Sequence, residues 1–137
     1  SKKQLMKGEI TPVKILVSKA PAYASFSSNL RSDNLSSTDS ELPVMQFSET
    51  KLTAGKYKGS NTITGKLKNI GQYKVSYPSV TGITFNGKKK MISIDNAYLN
   101  KKIIDFNETV EFNIMVYVAN YENPKSFELS YEGTIVK

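Results

Sequence analysis

Cysteine, histidine and tryptophan are absent from this chain of 137 residues. Zinc, copper, haem and iron–sulfur sites of the usual kind need thiolate or imidazole ligands, so none of them is expected. The same absence excludes a cysteine nucleophile and a histidine general base. Disulfide bonds cannot contribute to folding, although the lack of cysteine does not fix the cellular compartment. We therefore expect no cofactor, no metal site and no catalytic residue.

Long hydrophobic runs are lacking as well. The longest, from Ile114 to Ala119, is far shorter than the roughly 20 residues that span a bilayer as a helix. The chain does not begin with methionine and does not open with the charged and apolar regions of a signal peptide. We expect a soluble, trimmed chain, with any export signal or lipid anchor lying upstream of Ser1.

Arginine is represented by Arg31 alone among 19 basic residues, although the net charge is +7 and the pI is near 9.5. Bidentate recognition of phosphate or guanine favours arginine over lysine, so the composition disfavours direct nucleic-acid binding. The lysines are spread from Lys2 to Lys137. They are predicted to be scattered and solvating, with no face that clearly collects them.

What the chain does contain is the alternating pattern of β-strands. Residues 109–118 read T-V-E-F-N-I-M-V-Y-V, with apolar side chains at every second position. A period of two places these side chains on one face of an extended strand and predicts that this face is buried. Five side chains are predicted to be nearly fully buried in the core: Leu67, Phe112, Ile114, Val116 and Leu129.

Weaker forms of this pattern recur along the chain, which predicts an all-β protein. Strands are predicted at 12–18, 44–52, 61–68, 73–77, 80–85, 91–95, 109–118 and 126–135. Asn86-Gly87 predicts a type I′ hairpin turn, and Pro78 predicts a bulge or a sheet edge because proline lacks an N–H. Short strands at such intervals favour a sandwich or a barrel.

The length suits one domain with its own core. Residues 1–11 are basic and polar and are predicted to be a flexible lead-in, followed by a single β-sandwich domain at 12–137. Within this domain, residues 20–42 have no sustained apolar period and are predicted to form a long polar loop.

Three short motifs lie between Thr62 and Val118. They are G-K-L-K-N-I-G at 65–71, F-N-G-K at 85–88 and F-N-E-T-V-E-F at 106–112. In their order and spacing this segment, a little under half of the chain, resembles the FxLYD-type extracellular domains of bacteria and related late-embryogenesis-abundant β-sandwiches. Two departures are evident: the Tyr-Asp of the family is missing, and Asn107 stands where the family has glycine before Glu108. The resemblance implies an immunoglobulin-like β-sandwich of about seven to eight strands in an exported, often lipid-anchored module without known catalysis. Its motifs are structural and carry over no functional residue.

The lack of a motif that carries chemistry favours a non-catalytic interaction or structural module. The resemblance implies that this module belongs to an exported bacterial protein, at the cell surface or in the cell envelope. The expected partner is another protein or a cell-envelope component, with membrane contact only through an upstream anchor. The alternative is a basic OB-like barrel that binds single-stranded nucleic acid or glycan through a strand face bearing tyrosine and lysine. A hydrolase, the third class, is disfavoured.

Two motifs match those of penicillin-recognising serine enzymes. Ser48 to Lys51 reads S-x-x-K and Ser32 to Asn34 reads S-D-N. In those enzymes the serine and lysine lie one helical turn apart, whereas here they fall in a strand-like segment, the motif order is reversed and K-T-G is missing. We interpret the match as coincidence.

Carboxylates give two further hypotheses. Asp33, Asp39 and Glu41 supply oxygen ligands for Ca²⁺, but their spacing matches no EF-hand and a solvated loop explains them better. Two of the carboxylates of Asp95, Asp105 and Glu108 would be needed as a pair for glycoside hydrolysis, yet nothing in the sequence brings any two of them together.

The remaining candidates form a partner surface. Lys88, Lys89 and Lys90 follow the Asn86-Gly87 turn as the densest cationic stretch, and Lys101 and Lys102 form a second. Loop tips often carry binding residues, although lysines near turns and edges also prevent aggregation. Tyr117 is the best exposed tyrosine candidate, because it alternates with the buried positions of its strand.

Overall fold

The computed structural model describes residues 41–137. The predicted lead-in at 1–11, the strand at 12–18 and the loop at 20–42 up to residue 40 lie outside the described residues. Within 41–137 the chain is all-β, with seven strands and no helix. The strands are β1 (Met45–Ala54), β2 (Ser60–Asn69), β3 (Lys74–Phe85), β4 (Met91–Tyr98), β5 (Ile103–Ile104), β6 (Thr109–Tyr117) and β7 (Ser126–Val136).

The seven strands form two antiparallel sheets. The first has three strands in the order β1-β2-β6, and the second has four, with β3 pairing β4, β5 and β7. Val75 of β3 pairs with both Ile104 and Ile135, while Val80 pairs with both Ala97 and Tyr131. A strand has only two edges, so β7 occupies one edge of β3, and β4 and β5 share the other.

The sequence predicts two strands separated at Pro78, but the structure has one continuous strand, β3. The bulge expected at this proline is present. The register between β3 and β7 shifts between Ser76 and Ser79. Tyr77 there has a φ of 49° and donates its backbone N–H to the carbonyl of Lys102 at 2.7 Å. The chain therefore accommodates the missing N–H of proline locally, and the hydrogen bonding of β3 resumes on both sides.

The core lies between the two sheets and draws on both. Its fully buried side chains include Ile63 and Leu67 of β2, Ile114 and Val116 of β6, and Val75 and Val80 of β3. Four of the five predicted core residues are buried, including Phe112 at 6% exposure. The prediction for Leu129 is wrong: it packs against the core but is only half-buried, because β7 lies at an edge of its sheet among residues 41–137.

A bulge in β1 lies opposite Gly65 of β2, which packs closely against the ring of Phe112. Ser48 pairs with Lys66 and Lys51 pairs with Thr64, so two residues of β1 oppose Gly65 alone. A Cβ atom at Gly65 would stand 2.7 Å from Cζ of Phe112. Any larger residue at position 65 would displace the ring of Phe112 from the core. This close contact explains why β2 contains glycine at that position.

Asn69 ties the two sheets together at the end where β2 finishes. The residue is fully buried, and its side-chain Nδ2 donates to the carbonyls of Tyr73 at 2.8 Å and Ile104 at 3.3 Å. Its Oδ1 accepts a hydrogen bond from the backbone N–H of Gly71 at 3.0 Å. A buried amide with this many partners fixes the β2–β3 turn against β5.

A candidate binding surface at one end of the sheets

Three loops meet at one end of the two sheets, which we call the loop end. They are the β1–β2 turn at 55–59, the β3–β4 turn at 86–90 and the β6–β7 loop at 118–125. The β6–β7 loop crosses between the sheets and touches both turns. Lys125 donates its N–H to the carbonyl of Phe85 at 2.8 Å, and Val118 donates its N–H to the carbonyl of Gly59 at 3.0 Å.

The β1–β2 turn is held by hydrogen bonds of its own. Gly55 and Tyr57 donate backbone N–H groups to the carbonyl and the hydroxyl of Ser60, at 2.8 and 3.2 Å. The Ser60 hydroxyl in turn donates to the carbonyl of Tyr57 at 2.7 Å. Gly59 has a φ of 81° and lies so close to Tyr121 that an added Cβ would stand 2.6 Å from the ring. The turn therefore holds Lys56, Tyr57 and Lys58 at a fixed tip.

The β3–β4 turn differs from the predicted type I′ hairpin. Positive φ falls on Lys89, at 58°, and on neither Asn86 nor Gly87. Lys89 donates its N–H to the carbonyl of Asn86 at 3.0 Å, which describes a type I turn followed by one left-handed residue. The Asn86 side chain explains this choice, because its Oδ1 accepts the N–H groups of Lys88 and Lys90 and closes the longer loop.

The loop end collects nearly half of the lysines among residues 41–137. The lysines that it contains are Lys56, Lys58, Lys88, Lys89, Lys90 and Lys125. Against these six, the three loops contain one carboxylate, that of Glu122, which accepts a hydrogen bond from the Asn86 amide at 3.1 Å. The expectation that no face collects the lysines is therefore wrong for the described residues.

Three exposed tyrosines accompany the lysines. Tyr57, Tyr117 and Tyr121 are 73%, 61% and 59% exposed. Tyr117 ends β6 and pairs with Ser60 at the base of the β1–β2 turn, so the predicted exposure of this residue is confirmed. Tyr121 has a φ of 55°, a conformation that is uncommon for a bulky residue and that often marks functional sites.

Ammonium groups cover two of these rings. Lys56 Nζ lies 5.9 Å from the centroid of Tyr57, and Lys58 Nζ lies 5.6 Å from that of Tyr121. Both distances are within the range of cation–π attraction. The lysines of the β1–β2 turn therefore form one mixed surface with Tyr57 and Tyr121 rather than a separate charged patch.

Lys101 and Lys102 do not join this surface. They lie between β4 and β5, where Lys101 Nζ forms an ion pair with the carboxylate of Glu108. Glu108 precedes β6, whereas Tyr117 ends it, so the two sites lie about 25–30 Å apart along the strand. The structure thus brings together Lys88, Lys89, Lys90 and Tyr117, and separates Lys101 and Lys102 from them.

Five loop-end residues were not among the sequence candidates: Lys56, Tyr57, Lys58, Tyr121 and Lys125. One available signal was the stretch G-K-Y-K-G at 55–59, in which a tyrosine lies between two lysines at a turn bounded by glycines. The stretch 119–125 gives no comparable sign, because its role depends on which turns it touches.

The carboxylate of Glu108, a candidate for glycoside hydrolysis, is held by interactions within the fold. Glu108 accepts hydrogen bonds from the Lys101 ammonium group and from the backbone N–H of Asp105, and these interactions hold the pKa of the Glu108 carboxyl below its usual value. A general acid needs the opposite shift. Among residues 41–137, no three acidic side chains are grouped closely enough to hold a metal ion. Asp33 and Asp39 lie outside the described residues.

Ser48 and Lys51 lie on strand β1, as expected, and not on a helix. Nearby, an open cavity of about 510 Å³ is lined by Glu49, Lys66 and Glu111, among others. Lys66 Nζ lies 2.7 Å from a Glu49 oxygen, and the hydrogen bond to Glu49 raises the pKa of the lysine. Charges that neutralise one another in this way are typical of a solvated sheet face.

A second cavity, of about 420 Å³, is lined by residues 41–44 and 69–73 at the end opposite the loop end. Neither of these two cavities includes a loop-end residue. No helix among residues 41–137 has the length and apolarity needed to cross a membrane. Comparisons with protein families, with curated proteins and with solved structures find no match to this chain.

Proposed function

We propose that this chain is a non-catalytic binding module of an exported bacterial protein of the cell envelope and that it contacts its partner through the loop end. The single observation that carries the binding role is the gathering of six lysines and three exposed tyrosines by three loops. Binding sites of sandwich-like proteins are commonly built on loops that a rigid pair of sheets presents at one end.

The immunoglobulin-like assignment is part of this proposal. It is supported by two sheets that share a core and by the positions of the motif residues. Asn107, which replaces the glycine of the family, has a φ of 62°, and asparagine is one of the few other residues that tolerate this conformation. Gly65 and Asn69, both in the first motif, have the packing and hydrogen-bonding roles described above.

The experiment is retention on immobilised heparin, a generic polyanion. The loop-end variant combines Lys58→Gln, Lys88→Gln and Lys90→Gln. The control variant combines Lys51→Gln, Lys68→Gln and Lys102→Gln, which remove the same charge from residues outside the loop end. We expect the loop-end variant to elute at clearly lower salt than the control, because clustered charges act together on one ligand. Equal elution of the two variants would contradict a binding role for the loop end.

The alternative, a basic module that binds single-stranded nucleic acid or glycan, draws on the same lysines and tyrosines. Its expected OB-like barrel has five strands in a partly open barrel, whereas residues 41–137 form seven strands in two sheets. Titration with single-stranded DNA at about 150 mM salt separates the alternatives, since base stacking on aromatic rings persists when salt screens the phosphates. We expect no specific binding.

A further inference from the structure

We propose that the loop end docks onto the surface of an anionic phospholipid membrane. This inference rests on the proposed function, in which the loop end is the binding surface, and names the partner of that surface. It differs from the expectation that membrane contact occurs only through an upstream anchor. Four features of the described residues favour a lipid surface over other anionic partners.

The first feature is shape. The loop end consists of three loop tips, and neither of the two cavities described above opens there. Small ligands are usually held in concave sites that bury most of their surface. Three loop tips that lie outside both of these cavities fit a broad surface better than they fit a small anion.

The second feature is the course of the chain. Glu41 and Lys137 form an ion pair of 3.7 Å, so the described residues begin and end beside each other. Met45 of β1 pairs with Asn69, and Val136 of β7 pairs with Lys74, both at the end opposite the loop end. Glu41 and Lys137 therefore lie at the end of the sheets opposite the surface that would face a membrane.

The third feature is charge. The three loops carry six lysines and one carboxylate, and that carboxylate is hydrogen-bonded to Asn86. A lysine near an anionic leaflet strengthens membrane binding by roughly fivefold, and the effect weakens beyond a Debye length. Lysine ammonium groups act as point charges that suit a mobile array of headgroups, whereas ordered phosphate readout favours arginine.

The fourth feature is the state of the tyrosine rings. The ammonium groups of Lys56 and Lys58 lie over the rings of Tyr57 and Tyr121, so on each of these rings a cation competes with a stacking base. Single-stranded nucleic acids depend on such stacking. Tyrosine also prefers the boundary between water and lipid, because its ring is apolar and its hydroxyl is polar. The rings are therefore better placed for an interface than for stacked bases.

The test is sedimentation with vesicles of phosphatidylcholine containing about 30% phosphatidylglycerol. We expect the unaltered chain to bind these vesicles, to ignore vesicles of pure phosphatidylcholine, and to dissociate as salt is raised. The variant with Lys58→Gln, Lys88→Gln and Lys90→Gln should bind roughly a hundredfold more weakly, from a fivefold loss per lysine. The control with Lys51→Gln, Lys68→Gln and Lys102→Gln should lose less than about tenfold. Thermal melting shows whether each variant is folded.

A fluorescent reporter checks the orientation. Because the chain has no tryptophan, Tyr57→Trp introduces a single one at the loop end. Tyr98→Trp introduces one at an equally exposed position, 76% accessible, at the far end of β4. On adding the anionic vesicles, Tyr57→Trp should shift its emission to shorter wavelength and Tyr98→Trp should not.

Several results would overturn the inference. These are an absence of binding to anionic vesicles, equal losses in the two lysine variants, or a shift in Tyr98→Trp alone. Tighter binding to single-stranded DNA than to vesicles at the same salt would assign the surface to nucleic acid instead. If heparin retention depends on the loop end but vesicles do not bind, only the lipid assignment fails. If heparin retention is also independent of the loop end, the proposed function fails with it.

Discussion

Replacing Asn69 by alanine should destabilise the fold more than any other single polar substitution described here. The change removes two donated hydrogen bonds and one accepted bond in a fully buried position. The bond to the Ile104 carbonyl is buried, so its loss costs about 1–3 kcal/mol in the free energy of unfolding. The bonds to Tyr73 and Gly71 are partly accessible to water and should add roughly 0.5–1 kcal/mol each.

The expected total for Asn69→Ala is about 2–5 kcal/mol, which corresponds to a fall in Tm of roughly 8–20 °C. Asn69→Asp keeps the side-chain volume and leaves no cavity, but it replaces the donor Nδ2 by oxygen. This variant should also be less stable, because the hydrogen bonds to the carbonyls of Tyr73 and Ile104 are lost. Asn113→Ala is the matched control, because Asn113 lies on β6 with an exposed side chain and should change stability by less than about 0.5 kcal/mol.

The measurement is urea denaturation of the three variants and of the unaltered chain, with unfolding monitored by circular dichroism. A loss below about 1 kcal/mol for Asn69→Ala would refute the reasoning, since a buried carbonyl and two further partners would then be satisfied without the amide. A loss equal to that of Asn113→Ala would refute it equally. The behaviour of Asn69→Asp separates the hydrogen bonds from the packing of the side chain.

Further predictions concern the core, the charges and the chemistry. Phe112→Ala should lose about 3–5 kcal/mol in the same denaturation assay, because the ring is buried and packs edge-on against Phe47 at 5.6 Å. Glu108→Gln should be less stable than the unaltered chain near neutral pH, and the difference should disappear as acid protonates the carboxylate below pH 4.5, since the pKa of the folded carboxyl is lowered; a difference that persists in acid would contradict this. Changing the three lysines at 88–90 to serine should leave the Tm nearly unchanged, because all three side chains are exposed. Ser48 should not be labelled by a penicillin or a fluorophosphonate probe. Detection of a labelled Ser48 peptide by mass spectrometry would disprove the non-catalytic proposal.

The strand prediction succeeded where alternation was strict and local. In β6, Phe112, Ile114 and Val116 are buried, and the residues that alternate with them are exposed, because a single strand against a core reproduces the period of two directly. β3 was predicted as two strands because a proline ordinarily ends one. β7 pairs with β3 on both sides of Pro78, while β5 pairs before the proline and β4 after it, and all of these partners are distant in sequence.

The loop end was predictable only in part. Lys88, Lys89, Lys90 and Tyr117 could be chosen from local turn and alternation signals. That they lie beside Tyr57, Lys58 and Tyr121 depends on the pairing of β2 with β6 and on the path of the β6–β7 loop between the sheets. Short-range patterns contain neither fact, so the sequence alone predicts scattered lysines. The two-residue strand β5 was missed because so short a strand has no period of its own.

The bulge in β1 has a consequence for aggregation. Among the described residues, β1 lies at an edge of its sheet, and the unpaired N–H and C=O groups of an exposed edge can accept a strand from a second molecule. Glu49, within the bulge, has a φ of 51°, so it interrupts the regular row of backbone groups. A second copy cannot extend the sheet in continuous register past this point without expelling the bulge. Concentrated solutions of this chain should therefore resist fibril growth from the β1 edge.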